Sequence, residues 1–138
     1  MARAVTPEAA TAAARIHMAG RLQRGTHDCL TAACATSLAL WGRDPLAGGP
    51  PRYRTFTAAQ RIIRAAGGIL AWSRQTFEGA GMRLTDTPGP GDLALIETSR
   101  AKGGATYALC IGTGEYAAKA TDGLAIVQGE IIGAWAWE

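Results

Sequence analysis

The side chains of this chain best suited to nucleophilic or metal chemistry are three cysteines, Cys29, Cys34 and Cys110, and two histidines, His17 and His27. Cys29 is the most distinctive, because the polar Thr26-His27-Asp28 precedes it and a run without any charged residue, 29–41, follows it. At the start of a helix, unpaired backbone N–H groups and the helix dipole stabilise a thiolate and lower the thiol pKa from about 8.5, which would make Cys29 a nucleophile. A free cysteine on an apolar helix also serves as a small buried hydrophobe, and position alone leaves both readings open. Cys34, in the same run, and Cys110, in a stretch of strand type, read as core. His27 lies two residues before Cys29 and could reach its sulfur only from outside the helix start. Its other reading is a loop side chain engaged in hydrogen bonding. His17, between Ile16 and Met18, reads as packed or surface. His27, Cys29 and Cys34 lack C-x-x-C spacing and a fourth ligand, so no metal and no cofactor is expected.

The elements that must position Cys29 are legible. Thr6-Pro7-Glu8 supplies a capping hydroxyl, a proline at the first helical position and an acid in the first turn, predicting a helix over 7–23 that Gly25 ends. Asp28 and Thr26 are placed to cap the next helix, 29–41, which is apolar on every side and therefore central. Gly and Pro across 42–51 impose a long loop. Helices are expected over 57–66, with Ile62 and Ile63 inward and Arg61 and Arg64 outward, and over 69–77. After Pro88-Gly89-Pro90-Gly91 the pattern shortens to strands over 92–97, 105–111, 116–120 and 124–127, with Asp122-Gly123 as a hairpin turn. Gly112-Thr113-Gly114 reads as a tight turn, since neither a P-loop lysine nor a helix follows it. Trp135 and Trp137 share one face of an extended segment, as core closure or as a partner contact. Helices first and a strand meander second predict an α+β domain with helices on one face of a small antiparallel sheet.

The totals set limits. A chain of 138 residues with 48% hydrophobic and 18% charged residues can bury a core as one domain without metals or disulfides. An odd cysteine count without framework spacing fits reduced thiols in a cytoplasm. No run is long and apolar enough for a membrane span, and the charged opening residues lack the apolar stretch of a signal peptide. Residues 1–83 carry 11 Arg against four acids, while 84–138 carry seven acids against three basic residues. The arginines are spread over several helices, which fits solvated faces better than a nucleic-acid groove.

Thr26-His27-Asp28-Cys29-Leu30 opening a central helix, followed by Pro90-Gly91-Asp92-Leu93 opening a small sheet, resembles the NlpC-type, papain-like cysteine peptidases of the cell wall. It also resembles their relatives in phage and prophage tail clusters, through Trp41-Gly42-Arg43-Asp44-Pro45 and an Arg-rich helix ending in Ala-Gly-Gly. The resemblance spans 25 to the C-terminus, with residues 1–25 as an added N-terminal helix, either a surface helix or an arm docking on a neighbour. It implies Cys29 as nucleophile and a histidine base on the strand after the Pro-Gly-Asp strand. Here that stretch reads Thr106-Tyr107-Ala108-Leu109-Cys110, so Thr106 stands in the place of the histidine, and the orienting position falls near Ala118 or Lys119. Threonine cannot shuttle a proton near neutral pH, so the usual dyad is missing.

Three functions follow as expectations. The first is a non-catalytic structural module, implied by resemblance to sit in a phage tail with other tail proteins as partners and to be made in the bacterial cytoplasm. The second is a hydrolase of peptidoglycan or another amide, using Cys29 with His27 as base. The third is a binder of nucleic acid or an acidic surface through the arginine-rich half.

Overall fold

The computed structural model describes residues 4–99, 101 and 103–138; residues 1–3 of the expected N-terminal segment lie outside that set. Four helices precede and overlie six strands: α1 (Pro7–His17), α2 (Cys29–Trp41), α3 (Phe56–Ala66), α4 (Ile69–Gly79), β1 (Met82–Leu84), β2 (Leu93–Glu97), β3 (Ala105–Gly112), β4 (Glu115–Lys119), β5 (Leu124–Val127) and β6 (Ile131–Trp137). The strands form one sheet in the order β1-β6-β2-β3-β4-β5, with every neighbouring pair antiparallel. The fold class is α+β.

Thr6 caps α1 through a 3.1 Å bond from the Ala9 N–H. The helix stops at His17, not near 23. Gly20 reverses the chain at φ +85°, a conformation open to glycine. Backbone bonds then tie Leu22 to Thr121 and Gly123 to Gly20. Arg21, Leu22 and Gln23 continue a helical pattern in the sequence, but pairing with a distant hairpin wins. Ala10, Ala14 and Met18 are fully buried and join the core that contains α2, so α1 docks on its own domain.

α2 runs through the middle of the domain. Its buried residues, among them Leu30, Ala33, Cys34, Ser37 and Leu40, form a broad inward side, while Leu38 and Ala39 reach the surface on the other, so the helix is not enclosed all round as its apolar composition suggested. α4 buries Ser73 and Phe77. Beneath them Trp135 is fully buried and meets Phe77 edge-on at 5.1 Å between ring centroids, a favourable aromatic geometry. Trp137 donates its indole N–H to Ser37 Oγ at 3.3 Å. Both tryptophans therefore close the core. The short β1 was not expected; it pairs with the C-terminal strand from Met82↔Trp137 to Leu84↔Trp135.

The other face of the sheet is also buried. A second cluster consists only of strand residues: Ala94, Ile96, Ala108, Cys110, Tyr116, Ala118, Val127 and Ala134. Four of its eight members are alanines, so the strand residues there pack as a thin layer. The segments Trp41-Gly42 and Pro90-Gly91 meet where the Trp41 indole N–H donates to Gly91 O at 2.9 Å. That contact fixes the end of α2 against the start of β2.

Candidate functional site: a cavity over Cys29

Asp28 builds the start of α2. Its Oδ1 accepts from the Thr31 N–H at 3.0 Å and the Thr31 hydroxyl at 3.1 Å, and the Thr31 hydroxyl also accepts from the Asp28 N–H. This is a reciprocal capping box with threonine as the returning residue. Oδ2 accepts from the Gly25 N–H at 2.8 Å and the Tyr53 hydroxyl at 2.6 Å. Asp28 is 1% exposed, a depth at which a carboxylate persists only with its acceptor sites filled. The lone phenol among these donors is held almost wholly protonated: burial comes first among the causes, and the adjoining carboxylate adds to it. Gly25 is fixed as well, since a Cβ there would run into the Tyr53 carbonyl oxygen.

Cys29 follows as the first residue of α2, partly accessible on one side. Thr106 of β3, itself buried, stands against its sulfur. Burial pushes the Cys29 thiol above its ordinary value. A bond from the Tyr107 backbone N–H opposes this, the Asp28 carboxylate adds to it, and the Thr106 hydroxyl and Arg24 oppose it more weakly. The helix start therefore does not yield the lowered pKa that its position suggested. Desolvation and the charge of the capping aspartate outweigh dipole and donors.

His27 is not among the residues that line the cavity over Cys29. Its Nε2 lies 2.6 Å from Ala19 O; a carbonyl only accepts, so that nitrogen carries the proton. Backbone bonds with Gln23 hold the residue in the 19–27 loop. At the expected orienting position, Ala118 borders the cavity and has no side-chain polar group with which to orient a base. Lys119 instead sends its amine to Gly20 O at 2.6 Å, Ala120 O at 2.7 Å and Gly123 O at 2.9 Å. Three acceptors for three N–H bonds describe an ammonium used as a clamp, although burial draws its pKa down. Cys34 is buried and its thiol is pushed well up, chiefly by burial. Cys110, buried on β3, is also pushed up by burial. Among the described residues no group of three or more His, Cys, Asp or Glu is placed to hold a metal, and no helix is long and apolar enough to cross a membrane.

Cys29 and Thr106 lie on the wall of a half-open cavity of about 500 Å³ between α3, the start of α2 and strands β3 to β5. Its apolar wall includes Phe56, Ile62, Ile63, Ile69 and Trp72. A family profile described as a domain of unknown function, DUF6950, matches residues 3–137. The chain belongs to the DUF6950 family. No curated protein matches it. Within this DUF6950 chain, the resemblance had singled out Cys29 and Thr106 separately, and the fold brings them together. Tyr53, Arg24 and the open wall of α3 were not found from the sequence. Tyr53 sits in a Pro- and Arg-rich loop with no spacing that points to Asp28. Periodicity marked Ile62 and Ile63 as inward, but it cannot say whether inward means covered.

Proposed function

We propose that this protein is a non-catalytic structural module of a phage or prophage tail, on a papain-like layout of the NlpC type whose former catalytic cleft now serves for binding. The observation that carries the non-catalytic reading is the pairing of Cys29 with Thr106. A cysteine hydrolase needs a base within hydrogen-bond reach to take the thiol proton, and a hydroxyl cannot do so near neutral pH. The thiol is also displaced away from easy ionisation, first by burial, and His27 is occupied at Nε2 by Ala19 O. The assignment to a tail rests on the resemblance of the Trp41-Gly42-Arg43-Asp44-Pro45 segment and the following helix to proteins of tail clusters.

The test is the pH profile of Cys29 alkylation by iodoacetamide, with Cys29→Ala to subtract the other two thiols. The thiolate alone reacts, and the raised pKa means that the neutral form persists past pH 9. The rate should climb about tenfold per pH unit through pH 7–9 without a plateau. A plateau below about pH 7 would instead mean an activated thiolate and return Cys29 to the role of nucleophile.

A further inference from the structure

The helix α3 is built with one apolar side, Phe56, Ala59, Ile62 and Ile63, at helical spacing. None of its residues is fully buried, and all four line the cavity. An apolar face normally earns its place by being covered, and here the chain leaves space in front of it. The polar groups around that space are nearly all consumed. Asp28 is filled by Gly25, Thr31 and Tyr53, Lys119 by three carbonyls, and the Thr106 hydroxyl donates to Tyr107 O.

Arg24 is different. Among the described residues it has no ion pair and no hydrogen bond; its guanidinium lies over the Phe56 ring, 5.6 Å from the centroid. Gln60, one helical turn beyond Phe56 on the same wall, makes no side-chain hydrogen bond among the described residues. Asp28, the carboxylate on the wall among the described residues, has its acceptor sites filled, so the charged side chain with hydrogen-bonding capacity still to offer there is Arg24. The volume, about 500 Å³, lies within the range of roughly 300–1,000 Å³ typical of small-molecule sites. A peptide strand placed there would bring backbone N–H and C=O groups that these side chains cannot satisfy. An alkyl chain brings none.

We propose that this cavity binds a medium-chain alkyl carboxylate, with its chain against Phe56, Ile62, Ile63, Ile69 and Trp72 and its carboxylate at Arg24 and Gln60. This rests on reading the cleft as a binding site, a reading that Cys29 alkylation in the free protein tests separately. Titration calorimetry of the full chain with dodecanoate, and with dodecanol as the uncharged partner, decides the matter. Dodecanoate should bind saturably at one site and protect Cys29 from alkylation at pH 9. Arg24→Ala should weaken dodecanoate roughly tenfold or more, the size of one charge-assisted bond, and leave dodecanol nearly unchanged. Ala59→Trp, filling the cavity from α3, and Ala101→Trp, filling it from the facing loop, should each abolish binding of both. Absence of saturable dodecanoate binding, or binding indifferent to Arg24→Ala and to both tryptophans, overturns the proposal. Dodecanol binding as tightly as dodecanoate removes the carboxylate from it. If Cys29 proves activated while dodecanoate still binds, the non-catalytic reading falls and this one stands.

Discussion

α2 and α3 spend their apolar residues in opposite ways. α2 is apolar all round, buries seven of its residues and carries its polar chemistry only at its capped start. α3 has a sharply divided surface, with arginines outside and isoleucines inside, yet buries none of its residues fully. The first pattern is that of a helix whose side chains complete a core. The second is that of a wall whose covering is still to arrive. Stability should therefore reside around α2 and the strands beneath it, and binding around α3.

That contrast can be broken most directly in the core. Trp135→Ala removes the fully buried indole packed on Phe77 and should cost about 3–5 kcal/mol in denaturant unfolding; a loss below about 1 kcal/mol would mean that the core does not centre there. The start of α2 comes next. Asp28→Ala strips the partners from Gly25, Thr31 and Tyr53 and should cost about 2–3 kcal/mol. The smallest effect belongs to α3. Ile63→Ala should lower stability by less than about 1 kcal/mol, because the side chain is only partly covered, while weakening dodecanoate measurably. A stability loss matching that of Trp135→Ala would make α3 part of the core and close the case for an open wall.

Much of this fold is written locally. The absence of charge over 29–41 and the paired glycines at 67–68 each fix an element through neighbouring residues alone, and the chain follows them. What was not legible depends on distant pairing. The end of α1 is decided by bonds from Gly20 and Leu22 to residues 121–123, and β1 exists only because the C-terminal strand lies beside it. At the site, Cys29 drew attention through its type and place. Sequence left open whether its thiol is activated or an inert buried group, and burial with the charge of Asp28, which outweigh the helix start, raises its pKa. The role of Lys119 was invisible, since nothing near it in sequence names Gly20 as its acceptor.

The sheet order has a kinetic meaning. The strand formed last in the chain, β6, lies between β1 and β2 and brings Trp135 with it. Until it arrives, β1 has no partner and one side of β2 is an open edge, so neither the native sheet nor the core can be complete. Contacts of such long sequence separation make folding slow, and an open edge is the form in which a chain is most prone to associate wrongly. During synthesis, helices and hairpins can form early, but commitment to the native state must wait for residues 131–137.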